Sequence, residues 1–245
     1  MVFQPTKDFQ FSVDYWKIDL KDQISPFPET AVMADPAKYA SRINRCSTLP
    51  IALQDTLVAC EAGYNNGPGI GYIDTRGDNL GAVKTDGFDL SATYAYKTAS
   101  FGSLVFSYNG TLVNSYKYQN SPDDAFKENV GIYQDSSPVF KWQHVVGVNH
   151  KMNNWSTQLT VYNKSGYRDQ DNGQTPIDDV GEYMLTNLST TYTGIKNLSL
   201  TAGIKNLLDV EPPFTQQATT FQKGYDPRYT DAIGRSVFLR ASYKF

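Results

Sequence analysis

The sequence lacks a long apolar run. In 245 residues no stretch approaches the roughly 18 apolar residues that a membrane-spanning helix needs. The mean hydropathy is also low, at -0.45. These two observations argue against membrane helices. They leave a membrane β-barrel open, because half of each barrel strand faces a polar interior.

The sequence also has no basic run, and its first residues are unlike a leader sequence. The net charge is -3 and the pI is about 5.4, so nucleic acid is not expected as a partner. The N-terminal segment MVFQPTKDFQFSVDYW has no basic start, apolar core or small-residue cleavage site, and it does not resemble a signal peptide. If the protein is exported, we expect that its signal has been removed or that the chain is part of a longer one.

Cysteine and histidine are scarce, with two of each. Cys46 and Cys60 do not form a C-x-x-C pair and have no histidine nearby, which disfavours zinc. In an oxidising compartment they would form a disulfide worth roughly 3 kcal/mol, and otherwise they would be two reduced, buried thiols. His144 and His150 lie six residues apart without a nucleophile in a compatible motif, so the sequence predicts no enzyme and no cofactor.

One acidic loop is a weak candidate for calcium. Asp169, Asp171, Asp178 and Asp179 lie close in sequence, but the D-x-D-x-D-G spacing of a calcium loop is broken. A solvated loop and adventitious calcium binding both remain open from the sequence.

Aromatic residues are abundant, with 17 Tyr, 13 Phe and 3 Trp, and they occur in alternating patterns. In the C-terminal segment GRSVFLRASYKF, apolar side chains occupy every second position and polar ones the positions between, with Phe238 as the exception. This period of two is typical of a strand whose two faces meet different environments. The apolar positions are Val237, Leu239, Ala241, Tyr243 and Phe245.

The same alternation predicts eight strands, each long enough to cross a bilayer at a tilt. The connections alternate in length: short turns at 98–102, 151–154 and 195–197, and long polar loops at 19–71, 119–138, 168–181 and 211–234. Sorted loop lengths of this kind are typical of outer-membrane barrels, which have short periplasmic turns and long extracellular loops. The predicted fold is therefore an all-β, antiparallel transmembrane β-barrel region over residues 1–245. Its long extracellular loop, 19–71, is predicted to contain a short helix at Pro36–Arg45, with Asp35 as the N-cap.

Three segments near the C-terminus resemble TonB-dependent outer-membrane receptors. Lys205–Asp209 (KNLLD) is similar to a turn of that family, Gly224–Tyr229 (GYDPRY) to the segment that comes after it, and Gly234–Arg235 to the start of the last strand. Tyr243 and Phe245, in the ending Y-K-F, resemble the signal that the barrel-assembly machinery reads. The similarity extends over the whole chain.

This resemblance implies an active-transport receptor in the outer membrane of a Gram-negative bacterium. Such receptors have about 22 strands and a plugged lumen. The chain would correspond to the C-terminal third of such a barrel, without the plug, so TonB would act only through the missing plug region. The transported molecule would be a siderophore, an oligosaccharide or a similar large nutrient. The alternative is a self-contained eight-stranded barrel with a structural or adhesive role, embedded in outer-membrane lipid like the first.

Two sets of residues are candidates for function within this interpretation. Charges on the polar side of the strands would face the lumen, where they contact a plug or substrate or only pair with one another. Aromatic residues in the loops would stack on a ligand or only pack the loops. The first set is Asp14, Asp89, Lys97, Lys205, Arg240 and Lys244, and the second is Tyr64, Tyr72, Phe214, Phe221, Tyr225 and Tyr229.

Overall fold

The structure of the chain, a computed structural model, consists mainly of antiparallel strands. It describes residues 1–54, 57, 60, 69–119, 124–134, 137–171, 178–216 and 224–245. The strands are β1 (Val2–Thr6), β2 (Phe9–Pro26), β3 (Ile43–Arg45), β4 (Ile70–Ile73), β5 (Gly77–Thr98), β6 (Gly102–Gln119), β7 (Lys127–Glu128), β8 (Tyr133–Gln134), β9 (Ser137–Pro138), β10 (Trp142–Met152), β11 (Trp155–Lys164), β12 (Tyr167–Arg168), β13 (Asp179–Val180), β14 (Tyr183–Ile195), β15 (Leu198–Lys205) and β16 (Ser236–Tyr243). The helices are α1 (Glu29–Ala34) and α2 (Ile51–Gln54), with 3-10 turns at Ala40–Arg42 and Cys46–Thr48.

One large sheet contains the long strands. Its order is β1-β2-β5-β6-β10-β11-β14-β15-β16, and β7 pairs with β6. Strands that are adjacent in this order are also neighbours in sequence apart from the loop elements, which is the pattern of an up-and-down meander. All eight predicted strands are present, and the all-β antiparallel fold is confirmed. The strand β1 at the N-terminus was not predicted.

Two adjacent rows of side chains show how the sheet separates its two faces. One row crosses six strands through Phe106, Val148, Leu159, Leu188, Ile204 and Val237. The next row, on the opposite side of the sheet, is Val105, Asn149, Gln158, Ser189, Gly203 and Phe238. Successive residues of a strand point to opposite sides, so we call the first side the apolar face and the second the polar face.

Among the residues that the structure describes, no second layer covers the apolar face. Leu239 is 83% exposed and Val237 is 72% exposed, although both are large and apolar. In a water-soluble sandwich such side chains would be packed between two sheets. Four buried apolar residues instead form a cluster beyond the ends of the long strands: Tyr133, Phe140, Tyr167 and Val180.

Phe238, the exception to the alternation of apolar and polar residues in β16, lies on the polar face of the sheet. A Cβ atom built on Gly203 would overlap the ring of Phe238. The ring therefore covers the bare backbone of the glycine opposite it in the register. This contact explains why one large aromatic residue occurs among Ser236, Arg240 and Ser242.

Contacts divide the chain into two compact units. The first comprises Met1–Ile18, Lys84–Lys117 and Glu128–Phe245, and the second Asp19–Val83 and Tyr118–Lys127. The second unit has a small core in which Phe27 and the fully buried Val32 pack with Tyr39, Ile43 and Ile73. Strand β2 continues to Pro26, so the loop predicted to start at residue 19 begins later than the pattern indicated.

The predicted helix at Pro36–Arg45 is wrong. The helix lies earlier, at Glu29–Ala34, and Asp35 is its C-cap rather than an N-cap. The residue before a proline is disfavoured in the helical conformation, so Pro36 ends α1 instead of starting a helix. The Asp35 carboxylate accepts a hydrogen bond from the Lys38 backbone N–H at 3.1 Å, which forms a turn. Within the described part of the chain, none of the helices has the length and apolar character to cross a membrane.

Candidate functional site

Three loops of the first unit meet beyond one end of the sheet. We call them loop A (residues 128–141), loop B (165–182) and loop C (206–235). Loop A touches loop B through the hydrogen bond from Arg168 N–H to the Gly131 carbonyl, 2.8 Å. Loop B touches loop C where the Asp169 carboxylate accepts hydrogen bonds from the Thr215 hydroxyl at 2.7 Å and from the Gln216 backbone N–H at 2.6 Å.

An aromatic cluster fills the space between these loops. Tyr133 and Phe140 come from loop A, Tyr167 and Val180 come from loop B, and all four are buried. Tyr229 of loop C packs on the cluster, with its ring centroid 5.2 Å from that of Phe140 in an edge-to-face arrangement. Small apolar clusters commonly lie under long loops, and here side chains from all three loops contribute to one cluster.

Loop A is fixed to the end of β6 by one carboxylate. Glu128 accepts hydrogen bonds from the Ser115 hydroxyl and the Tyr116 backbone N–H, each at 2.9 Å, and from two N–H groups of its own loop at 3.1 Å. Burial alone would raise the pKa of Glu128, but these hydrogen bonds outweigh it and lower the pKa below its ordinary value. The charged carboxylate therefore holds loop A at neutral pH.

Loop C contains an ion pair whose carboxylate is buried and whose guanidinium is partly exposed. Asp226 is 2% exposed, and the Arg228 guanidinium donates to both of its oxygens, with the shortest distance 2.6 Å. This carboxylate, through its hydrogen bonds with the guanidinium, raises the pKa of Arg228 above its ordinary value. The same guanidinium donates to the Tyr133 hydroxyl at 3.1 Å. Burial raises the pKa of the Tyr167 hydroxyl, and the charges of Asp169 and Asp226 raise it further, so that this phenol stays neutral.

A cavity lies beside this cluster, on the polar face of the sheet. Its volume is about 330 Å³, and its wall is formed by Tyr162 and Lys164 of β11 and by Tyr183 and Leu185 of β14. Residues 227–231 of loop C form its roof. We call this space the wall cavity.

Polar contacts join the roof to the wall. Lys164 Nζ donates to the Tyr229 carbonyl at 2.9 Å and lies 5.6 Å from the centre of the Phe140 ring. The Tyr183 hydroxyl donates to the Asp231 carbonyl at 3.0 Å and accepts from the Asp231 N–H at 3.1 Å. Tyr162 remains 46% exposed within the cavity. The arrangement offers a cation and aromatic surface to any molecule that enters.

A smaller cavity of about 150 Å³ adjoins the first. It shares Tyr183, Leu185 and Asp231 with the wall cavity and adds Lys205 and Asn206. Lys205 is one of the charges predicted on the polar side, and its side chain is exposed here. The second cavity therefore adds another cation to the same region.

The remaining predicted charges lie apart from these two cavities, and those within the strands are on the polar face. Asp89 accepts a hydrogen bond from the Thr111 hydroxyl at 2.7 Å. Arg240 stands opposite Thr201 in the register. Asp14 and Lys97 share their strand side with Ser12 and Ser91, whose hydroxyls are 2.8 Å apart. Lys244 comes just after the end of β16, where its backbone N–H donates to the Asn197 carbonyl at 3.0 Å.

The predicted loop aromatics occupy different environments. Tyr229 packs in the cluster, Tyr225 is partly buried, and Phe214 is 65% exposed. Tyr72 of the second unit is 41% exposed. Tyr64 and Phe221 lie outside the described residues. The structure thus brings only Tyr229, through its backbone carbonyl and its ring, to the wall cavity.

Hydrogen bonds explain the residues of two segments that suggested a family, Lys205–Asp209 and Gly234–Arg235. Asn206 is buried and bonds Val210 in both directions, with its amide donating to the carbonyl and its oxygen accepting from the N–H, each at 2.9 Å. The Asp209 carboxylate accepts from the Arg235 N–H at 2.8 Å and from its guanidinium at 3.2 Å. The two ends of loop C are therefore held together where β15 ends and β16 begins.

Cys46 and Cys60 form a disulfide, with their Cα atoms 5.4 Å apart. The Cys46 N–H donates to the Gly69 carbonyl at 3.0 Å, close to the start of β4. At the other end of the chain, the rings of Tyr243 and Phe245 lie 5.3 Å apart, and both are largely exposed. None of these four residues lines the wall cavity.

Metal binding has no support among the residues that the structure describes. They contain no group of three or more His, Cys, Asp or Glu side chains placed to hold an ion. His144 and His150 lie on the apolar face. The His144 ring lies 5.6 Å from the ring of Trp142, and His150 Nε2 lies 2.8 Å from the Phe101 carbonyl. Part of the predicted acidic loop, residues 172–177, lies outside the described residues.

Sequence reasoning did not select Tyr162, Lys164 or Tyr183 for the site. The available signal was an exception to the alternation: Tyr162 is a large aromatic on the polar side of β11, opposite Leu185. The role of Arg228 had no local signal, because its partner Tyr133 is 95 residues away in sequence.

Comparison with known proteins places the chain in a family. The profile described as "TonB dependent receptor-like, beta-barrel" matches residues 1–207. No curated protein sequence matches the chain.

Solved structures share the fold at low identity. One is a mutant of the ferric enterobactin receptor PfeA from Pseudomonas aeruginosa in complex with enterobactin: 15% identity, TM-score 0.59, 98% of this chain and 30% of that one. Another is the FrpB iron transporter from Neisseria meningitidis: 11% identity, TM-score 0.58, with 98% and 30% covered. A third is the copper transporter OprC: 13% identity, TM-score 0.51, with 98% and 29% covered.

The chain thus spans about 30% of the length of these structures. The matched profile extends over most of the chain, and the strand meander agrees with it. The chain belongs to the family of TonB-dependent receptor β-barrels.

Proposed function

We propose that this chain is part of the barrel wall of an outer-membrane receptor that actively takes up a siderophore, an oligosaccharide or a similar large nutrient. Family membership supports the transport role. The solved structures of the same fold include receptors and transporters for iron, an iron chelate and copper. The apolar face would contact the acyl chains of the membrane, and the polar face would line the lumen.

The wall cavity is the observation that carries the proposal. It lies on the polar face next to the long loops, and it combines the cation of Lys164 with the exposed ring of Tyr162. Ligand sites are usually concave, mostly apolar and furnished with a few polar groups, and this cavity fits that description. A ligand with ring systems and negative charge or hydroxyl groups would suit it.

The whole protein would supply what this chain does not. TonB would act through a plug region, and the barrel-assembly machinery would read Tyr243 and Phe245 at the C-terminus. The chain would contribute wall strands and extracellular loops, and it would perform no catalysis.

A self-contained eight-stranded barrel is less well supported. Closure into a barrel requires pairing between the first and the last strand. In the described residues, β1 pairs with β2 and β16 pairs with β15, and they stand at the two ends of the sheet order. Both edges are thus available to further strands.

Growth of a strain lacking the full-length gene tests the proposal. The strain would be supplied with single iron chelates or single glycans as its source of iron or carbon. We expect growth to fail on one of these nutrients and to return when the gene is restored. Unchanged growth and uptake on every iron chelate and glycan would contradict the proposal.

Variants locate the site once that nutrient is identified. Lys164→Ala removes the cation of the wall cavity, and we expect uptake at limiting nutrient to fall about tenfold. Lys151→Ala is the control, since Lys151 also lies on the polar face but at the opposite end of β10, where it is exposed. Equal loss in the two variants would show that the wall cavity is not the binding site.

A further inference from the structure

The ion pair between Asp226 and Arg228 shapes loop C locally. One Asp226 oxygen accepts from the Arg228 backbone N–H at 3.0 Å and from Nε at 3.0 Å, while the other accepts from the guanidinium at 2.6 Å. The Asp226 carbonyl accepts from the Thr230 hydroxyl at 2.7 Å and from the Thr230 N–H at 3.1 Å. These contacts fold residues 226–230 into a compact turn.

The pair also reaches beyond its own loop. The Arg228 guanidinium donates to Tyr133 of loop A at 3.1 Å, and Asp226 lines a small cavity together with Tyr167 and Val180 of loop B. Tyr133 and Tyr167 are both in the buried aromatic cluster. One ion pair thus lies at the point where all three loops meet.

A second Asp-x-Arg turn in the chain has the same local geometry. In the second unit, Asp74 accepts from the Arg76 backbone N–H at 3.0 Å, from Nε at 2.9 Å and from the guanidinium at 2.6 Å. The hydrogen bond from the Arg76 side chain lowers the pKa of Asp74 to about 2. The Arg76 and Asp74 side chains, however, are 88% and 17% exposed, whereas those of Arg228 and Asp226 are 29% and 2% exposed.

We propose that the pair of Asp226 and Arg228 is a clasp that couples loops A, B and C into one block and thereby positions the roof of the wall cavity. Residues 227–231 form that roof, so any movement of the turn moves the roof. The inference rests on the proposed function only for the role of the cavity in ligand binding. The coupling itself is independent of any ligand.

The coupling follows from the energetics of buried charges. The Asp226 side chain is 2% exposed, so a weaker pairing with Arg228 leaves this carboxylate poorly compensated in a poorly solvated site, which is destabilising. Asp226→Asn removes the charged acceptor that orients the Arg228 guanidinium toward Tyr133. An exposed pair contributes little, because water solvates each charge when the pair opens. The two turns share their local geometry, and only the turn at Asp226 is proposed to couple loops. Variants of both turns therefore distinguish the effect of the local geometry from that of the coupling.

Hydrogen exchange of the full chain in lipid or detergent tests the clasp. The reporters are the amides of Arg168 and Thr215, whose hydrogen bonds join or brace the loops, and of Gly131, which bonds the Val139 carbonyl at 2.8 Å. In Asp226→Asn we expect exchange in all three loops to accelerate by at least about tenfold, with the amides of β10 and β11 unchanged. In the control Asp74→Asn we expect acceleration only near residues 74–76.

Two further variants keep the test decisive if Asp226→Asn does not fold. Arg228→Lys keeps the charge but loses the planar fork, so it should accelerate exchange in loops A and C. Tyr133→Phe keeps the buried ring and removes only the hydroxyl that Arg228 reaches, so its effect should be smaller and centred on loop A. Acceleration confined to residues 224–231 in Asp226→Asn, or in Arg228→Lys where Asp226→Asn does not fold, would overturn the clasp. Equal spreading in Asp74→Asn would overturn it as well.

Lysine acylation reports on the cavity without a ligand. Lys164 is held under the roof by the Tyr229 carbonyl, whereas Lys205 is exposed. With an N-hydroxysuccinimide ester as the probe, the rate at Lys164 relative to Lys205 should rise at least about threefold in Asp226→Asn and stay unchanged in Asp74→Asn. An unchanged ratio in Asp226→Asn would refute the positioning of the roof. Neither measurement depends on transport, so failure of the clasp and failure of the proposed function can be told apart.

Discussion

The two faces of the main sheet are built from the same strands, yet they follow different rules. Along the row from Phe106 to Val237 on one face, every side chain is apolar, and in the described part of the chain no second layer covers it. One residue further along each strand, on the other face, the row contains Asn149, Gln158 and Ser189. Tertiary contacts also differ: the long loops and both cavities border the polar face.

This difference shows that the medium around each face, and not the formation of strands, determines which types of residue occur on that face. Backbone hydrogen bonds are the same on both faces, because the ladder lies between them. What changes is the medium that each side chain meets. An apolar face without a packing partner is stable when lipid replaces the missing layer, and a polar face is stable when water or polar groups fill the interior.

The largest expected effect comes from reversing the polarity of the side chain at one of two neighbouring positions of β16. Leu239→Arg places a cation on the apolar face and should cost about 2–4 kcal/mol of folding free energy in a bilayer, because the charge loses its hydration. Arg240→Leu changes the polar face and should cost far less. Urea unfolding in lipid vesicles, monitored by tryptophan fluorescence, measures both. Equal costs would mean that the faces are assigned wrongly.

A smaller effect should come from added volume. Gly203→Val would drive a side chain into the ring of Phe238 on the polar face, and such overpacking costs about 1–3 kcal/mol. Ala202→Val adds two of the three carbon atoms that Gly203→Val adds, but on the apolar face, where the side chain is exposed, and should be close to neutral. The same unfolding measurement applies. If Ala202→Val were as costly as Gly203→Val, the apolar face would have to be packed against protein.

The smallest effect should separate two hydroxyl pairs of equal length. Thr157 and Thr190 lie on the apolar face, Thr191 and Thr201 lie on the polar face, and each pair of Oγ1 atoms is 3.0 Å apart. Replacing both members by Val removes one hydrogen bond in either case. The polar-face double variant should lose up to about 1 kcal/mol, whereas the apolar-face one should be neutral or stabilised, since apolar replacement of both partners suits lipid. A larger loss for the apolar-face pair would contradict the comparison.

The strands of the main sheet could be predicted from the sequence because the alternation of apolar and polar residues directly reflects the two faces of the sheet. Eight strands were recognised in this way, from residues such as Phe9 and Phe11 at one end to Leu239 at the other. Strand β1 was missed because its five residues are too few to establish a period of two.

The loops could not be predicted to the same degree. The helix was misplaced because Asp35 and Pro36 resemble a helix start as well as a helix end, and only the preceding residues decide between these. Tyr229 was recognised as a loop aromatic, but its packing on Phe140 depends on tertiary contacts that leave no local pattern. The same holds for Asp226, whose burial distinguishes it from Asp74 in an almost identical turn.

The most direct test of the account is to find which medium each face contacts. Leu239→Cys and Arg240→Cys would each be labelled with the same environment-sensitive fluorophore, since the native Cys46 and Cys60 are joined in a disulfide. Quenching by lipids brominated on their acyl chains would then be compared with quenching by iodide in water. We expect bromolipid quenching at position 239 and iodide quenching at position 240. Iodide quenching at 239 with bromolipid quenching at 240, or no bromolipid quenching at either, would contradict the assignment of the apolar face to lipid.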